Sequence, residues 1–353
     1  MDFKKILDEL YLDILHRHID KEGLSYYSPL LQNNSITINE IKDNLLNSDE
    51  RKNNPEFHSV LSNYLSELSL DEELMLEKNL IWICGSPRSG TTWLARDLLS
   101  CSSNFINEFH LDEHLAVTSV GVFDPKYKRR IDRHKDQPDY FLSDTYSLTW
   151  KYYLRKLILN RINSQFNDLT KKIIIKEPGN VGAYDVLSKC LPNSKLIILL
   201  RDGRDVIDSL LDALQNDGFI TLFSDYTPVS ESERLSFIES RAILWVNLVN
   251  ILLKTIKNHN SHLCLVIKYE DLLHDTKNCL RKIYEFAEIT ISEIELVKII
   301  DKNSFEKIPK QNKGKGKFYR SASPGKWKEN LSNEEIELIE KIMRPALDKL
   351  EYI

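Results

Sequence analysis

The 353-residue chain carries only five cysteines and three methionines, with 11 glycines and 11 prolines, and each scarcity removes a class of protein. Cys84, Cys101, Cys190, Cys264 and Cys279 stand singly, without a C-x-x-C pair or a histidine at zinc-ligand spacing. Neither a disulfide scaffold nor a zinc site is indicated, and a reducing compartment fits. Glycine and proline are too few for a collagenous or mucin-like chain, while 42% apolar residues are too many for a disordered one. The longest apolar runs, such as Leu196 to Leu200, stop far short of the ~20 residues that cross a bilayer. Charge is nearly balanced, with 48 Lys and Arg against 53 Asp and Glu for a net −5, so a nucleic-acid partner is not expected. The N-terminus has no apolar core of a signal peptide, and Asp2, Asp8, Glu9 and Asp13 are wrong for an organellar presequence. A soluble, cytoplasmic protein without a membrane span is the expectation.

The length suits one large α/β domain with insertions, or two ordinary domains. Phe3, Ile6, Leu7, Leu10 and Ile14 recur at helical spacing, and residues 1–78 hold no strong strand signal, so they read as a helical extension packed on the core. From Leu80 the pattern changes to short β-rich runs: LIWIC at 80–84, KIIIK at 172–176, KLIILL at 195–200 and LCLVIKY at 263–269. Helices are expected between them near 91–100, 204–215, 231–258, 276–288 and 292–302. A last helix starts at a capping box of Ser332 and Glu335. The alternation predicts an α/β domain over 79–353, a central parallel sheet with helices on both faces. Two stretches interrupt it, 112–170 and the Lys- and Gly-rich 303–331. Trp150 and Trp245 read as core, and the mixed-charge run 126–135 as a solvated face.

The most informative stretch is LIWICGSPRSGTTWL at 80–94, an apolar strand, a loop from Gly85 to Gly90 and a helix start. Glycines let the backbone N–H groups turn inward, and a helix N-terminus adds unpaired donors, which together make an anion cradle. Thr91 and Thr92 add hydroxyl donors. A nucleoside triphosphatase loop needs lysine after its last glycine, but Thr91 stands there. The cation is instead Arg88, inside the loop, where a guanidinium forks onto an anionic group. A ligand-free turn asks for much less than this stack of hydroxyls, glycine and arginine.

GSPRSGTTWL resembles the 5′-phosphosulfate loop of sulfotransferases that use 3′-phosphoadenosine 5′-phosphosulfate (PAPS) and release 3′-phosphoadenosine 5′-phosphate (PAP). KLIILLRDGRDVIDS resembles the family's second signature, and FYRSASPGKWKENLS its C-terminal third. The resemblance runs from about residue 80 to 350 and implies cofactor contacts from Gly85, Pro87, Arg88, Ser89, Gly90, Thr91, Thr92 and Trp93. It further implies that Arg201 and Ser209 hold the 3′-phosphate, helped by Phe318, Arg320, Ser321 and Ala322, with Tyr269 of KYEDL near the adenine. Gly325, Trp327 and Lys328 complete the third signature. Ser321 and Ala322 depart from that signature's lysine and glycine, leaving Arg320 and backbone N–H groups for the phosphate.

Sulfuryl transfer is an in-line displacement, served by positioned cations and donors. Arg88 is the first candidate cation, and Lys176, which ends the KIIIK strand and resembles the family's K-x-P lysine, is the second. Animal cytosolic members use a histidine where this chain has Pro178, so the resemblance to other members passes the base to Glu108, with His110 the nearest alternative. The segment 307–320, with Gly314 and Gly316, reads as a lid within a cofactor loop spanning 303–331, and 112–170 as the acceptor side. No metal is expected, and the acceptor is a small-molecule hydroxyl or amine of a secondary metabolism. A small-molecule kinase and a non-catalytic nucleotide-binding module are the competing readings. The oligomeric state is left open.

Overall fold

The computed structural model describes residues 3–15, 17–53, 68–107, 133–166, 168–176, 184–223 and 227–353. Two compact units divide the chain, Met1–Glu67 and Leu68–Ile353.

The first unit contains α1 (Phe3–Leu15), α2 (Lys21–Gln32), α3 (Ile38–Asn47) and α4 (Asp49–Asn53). The helical spacing of Leu7, Ile14 and their neighbours resolves into one face, which buries Leu7, Tyr11 and Ile14 against Leu31, Ile41 and Leu45. Polar side chains set the helix starts: Asp20 accepts the Gly23 N–H, and Thr37 and Glu40 form a reciprocal capping box.

The second unit is built on a five-stranded parallel sheet of order β2-β3-β1-β4-β5, with β1 Leu80–Gly85, β2 Phe105–Asn107, β3 Lys172–Lys176, β4 Lys195–Leu200 and β5 Cys264–Lys268. All four pairings are parallel. The two-residue period of β1 divides its side chains between two cores. Leu80, Trp82 and Cys84 pack on one side with Ile173, Ile198 and the helices α6 (Ser147–Phe166), α7 (Tyr184–Cys190), α8 (Gly203–Ala213), α10 (Arg234–Asn258) and α15 (Asn333–Lys349), the same side that α5 (Leu70–Asn79) joins through Leu76. Ile81 and Ile83 pack on the other with Ile197, the helix Trp93–Leu99, α12 (Thr276–Phe286) and α13 (Glu293–Lys302). Three shorter helices complete the unit, α9 (Phe219–Phe223), α11 (Tyr269–His274) and α14 (Trp327–Asn330).

Because β1 is central, the chain leaves it first toward β2 and β3 and later toward β4 and β5. The carboxyl ends of β1 and β4 therefore flank the point where strand order reverses, the place where open α/β sheets hold ligands. Ahead of β1, buried Glu73 and Glu77 meet Arg155 at 3.3 and 2.5 Å, and Glu73 also meets Lys156 at 3.0 Å. This network joins α5 to α6, and removing one partner would strand a buried charge.

Several details differ from expectation. β2, only three residues long, carried no strand signal. The helix after the loop is a π-helix over Trp93–Leu99, with Ser100 N–H donating to the Ala95 carbonyl at 3.2 Å. Trp245 is core, whereas Trp150 is only partly buried and donates to the Ser143 carbonyl at 3.1 Å. The basic run 126–135 lies outside the described residues except for its last three. Among the described helices, α10 alone is long and apolar enough to cross a membrane by length and composition. It buries Ile238, Trp245, Val249 and Leu252 and packs against α15.

Candidate active site

The loop after β1 is shaped by two glycines. A Cβ on Gly85 would stand 2.3 Å from the Leu199 carbonyl oxygen of β4, so only glycine lets the strands stay this close. Gly90 has φ +85, and a Cβ there would meet the Tyr269 ring at 2.6 Å. Between them Ser89 N–H donates to the Ser86 carbonyl at 3.1 Å, and the two serine hydroxyls pair at 2.6 Å. Arg88 itself takes φ 68, a left-handed conformation costly for a non-glycine residue.

A cavity of about 140 Å³ opens at this loop. Arg88, Gly90, Thr91, Thr92 and Trp93 line one wall, Arg201, Ser209 and Tyr269 another, and Phe318, Arg320, Ser321 and Ala322 a third. Twelve residues named from the sequence thus share one cavity. Gly85 and Ser89 form the frame of the loop behind it, and Pro87 faces a neighbouring cavity. Lys176 ends β3 opposite Ile83 of β1, outside the cavity's lining. Glu108 and His110 lie outside the described residues; Asn107, at the end of β2, immediately precedes Glu108.

Three guanidinium groups converge on the cavity. Arg88 donates from Nε to the Ser209 hydroxyl at 3.0 Å and from Nη2 to the Phe318 carbonyl at 3.1 Å. It lies over the rings of Phe219 and Phe318, 4.8 and 5.4 Å from their centroids. Burial, and then the charge of Arg201, push its pKa down to about 10, so it stays cationic at neutral pH while its environment favours an anion. Arg201 donates to the Arg88 carbonyl at 2.6 Å and stacks on Tyr269 at 4.5 Å. Its Nε is buried with no hydrogen-bond partner. Arg320 pairs with Asp208 at 2.9 Å and approaches Asp212 at 3.8 Å. Trp93 meets the Tyr269 ring edge-on at 6.4 Å and donates to the Asn303 carbonyl at 3.2 Å.

The third signature's other residues act from behind. Gly325 N–H donates to Asp205 at 2.7 Å, Trp327 N–H reaches the same carboxylate at 3.4 Å, and the Trp327 ring carries Arg204 at 4.3 Å. Lys328 lies over that ring at 5.5 Å. Burial raises the pKa of Asp205 and of Tyr269. Sequence reasoning overlooked Asp208, Asp212 and Tyr319. The first two fall on one face of α8 with Asp205 and Ser209, a helical spacing that was open to reading. Tyr319 donates to Asp97 and accepts from Arg96, and burial pushes its hydroxyl up to about 12.

These features fit a nucleotide with two anionic ends. A buried guanidinium nitrogen without a partner and a glycine cradle closed against an aromatic ring are what such a ligand fills.

The description Sulfotransferase domain matches residues 78–351, and Domain of unknown function (DUF4214) matches residues 4–55. Among solved structures, the chain is similar to a mouse sulfotransferase complexed with PAP, at 17% identity over 81% of this chain and 95% of that one, with a TM-score of 0.48. It is similar to sulfotransferase STF9 from Mycobacterium avium at 15% identity, over 98% of this chain and 95% of that one, with a TM-score of 0.47. A sulfotransferase from Alicyclobacillus acidocaldarius gives 15% identity over 77% and 94%, with a TM-score of 0.43. No curated protein matches the chain.

Proposed function

The chain belongs to the sulfotransferase domain family, and from that premise we propose that it uses PAPS and that its residues share the work as follows. The cavity at the loop takes the nucleotide. Loop N–H groups, Thr91, Thr92 and Arg88 hold the phosphosulfate end, while Arg201, Ser209 and Arg320 hold the 3′-phosphate, with Tyr269 and Trp93 beside the base. The observation that carries this assignment is the unpartnered Arg201 Nε, buried at the edge of a cavity that two further arginines line.

PAPS supplies an activated sulfuryl group. The chain's part is to hold positive charge where negative charge develops and to take the acceptor's proton. Arg88 serves the first need, already fixed by Ser209 and the Phe318 carbonyl, with Lys176 as the second cation at the same carboxyl edge of the sheet. Glu108 serves the second need, with His110 as its alternative, since Pro178 occupies the place of the familiar histidine. We assign residues 303–331 to the cofactor loop, 112–170 to the acceptor side and the first compact unit, 1–67, to a helical extension, with a small-molecule acceptor. A cytoplasmic location accords with five free cysteines.

Calorimetric titration tests the assignment. PAP should bind about 10- to 100-fold more tightly than ADP, because each charge-assisted bond to the 3′-phosphate contributes about 1.5–3 kcal/mol. Arg201→Gln should erase most of that preference. Equal affinities in the unaltered protein would remove the 3′-phosphate from this site.

A further inference from the structure

Beside the nucleotide cavity lies a second one of about 220 Å³ with an almost wholly apolar lining. One wall is a face of α10, where Phe237, Leu244 and Leu248 surround Arg241. Val206 and Leu210 of α8 and Pro87 of the loop also line the cavity. The two cavities share their partition. The loop turns Arg88 and Gly90 to the nucleotide side and Ser86 and Pro87 to the apolar side. Helix α8 likewise gives Asp208 and Ser209 to one and Val206 and Leu210 to the other. Phe219, which stacks on Arg88, is followed directly by Ile220 in the apolar lining. A molecule in the second cavity therefore lies across the loop from the cation assigned to the sulfuryl group.

Arg241 is out of keeping with the rest of that lining. Its guanidinium lies over the Phe237 ring at 5.0 Å, and its Nε is buried without a hydrogen-bond partner. Among the described residues no carboxylate pairs with it. A cation in such a place gains most from a planar anion that it can grip in a fork.

We propose that this cavity holds the acceptor, and that the acceptor is an apolar molecule bearing a carboxylate for Arg241 and, at its other end, the hydroxyl to be sulfated. This rests on the nucleotide assignment above. The hydroxyl oxygen bonds to sulfur as the bond from sulfur to the phosphate oxygen breaks; the electron pair leaves with PAP, and the hydroxyl proton passes to the base.

The test uses the full chain, ω-hydroxydecanoic acid and the matched decanediol. Calorimetry on PAP-loaded protein should give about 10- to 100-fold tighter binding of the acid than of the diol, and kcat/KM with PAPS should favour the acid by a similar factor. Arg241→Gln should bring acid and diol level, and Arg241→Lys should restore part of the difference. Equal binding in the unaltered protein, or a preference that survives Arg241→Gln, overturns the proposal. PAP is also titrated alone, and the acid and diol are titrated against the unloaded chain. If PAP fails to bind, the nucleotide assignment falls, whereas the acid-over-diol comparison still decides the fate of the apolar cavity.

Discussion

Arg88 combines a left-handed backbone with a half-buried guanidinium over two rings, and Gly90 two residues later also has a positive φ. Alanine at Gly90 would combine a positive φ with a Cβ 2.6 Å from the Tyr269 ring. We expect Gly90→Ala to destabilise the protein by about 1–3 kcal/mol in urea denaturation and to weaken PAP binding, because Tyr269 must shift to make room. An unchanged midpoint with unchanged affinity would contradict this account of the loop. For the base, Glu108→Gln should lower turnover by about 10²-fold at nearly constant PAP affinity. If His110→Ala shows that loss and Glu108→Gln does not, the role moves to His110. The loop residues were legible because glycine spacing and the missing lysine speak directly to backbone geometry and ligand charge. Arg241 was not, since one arginine in a helical pattern gives no sign that its neighbours close around it.

Helix α8 couples the sheet to the 303–331 segment through its acidic face. Asp205 accepts from the Gly325 and Trp327 N–H groups, Asp208 pairs with Arg320 and accepts from Asn330 at 3.1 Å, and Asp212 accepts from Gly316 N–H at 2.9 Å. Asp205→Asn keeps the shape but weakens an anchor, so PAP affinity should fall about tenfold. Its pH dependence has a definite sign. Burial raises the folded pKa of Asp205 above the ordinary 3.8, so the folded chain binds the proton more tightly than the unfolded one. That contribution to stability is fully present below 3.8 and is lost as pH rises through the folded value. In urea denaturation the stability of the unaltered protein, taken relative to Asp205→Asn at each pH, should fall as pH rises through this window; a difference that does not change with pH would refute it. Four of the five strands were legible as β-branched runs with abrupt ends. β2 is too short to show a period, and its pairing depends on β3, some 65 residues away. The π-helix was equally hidden, because a seven-residue segment does not separate its hydrogen-bond pattern from that of an ordinary helix.

At the scale of the molecule, each unit has a hydrophobic core of its own, and the nucleotide cavity draws all its lining from the second. Residues 68–353 alone should therefore bind PAP with the affinity of the full chain, measured by the same titration. A large loss on removing 1–67 would show that the nucleotide site depends on the first unit. The parallel sheet has a consequence for the birth of the protein. Leu80 pairs with Ile173, and Ile81 with Lys195, so β1 leaves the ribosome long before either partner exists. At ~5–20 residues per second of synthesis, the wait is roughly 5 to 20 seconds. Throughout it the run Leu80 to Cys84, fully buried in the finished sheet, is an apolar segment without its strand partners, open to contacts with other chains until β3 and β4 arrive to enclose it.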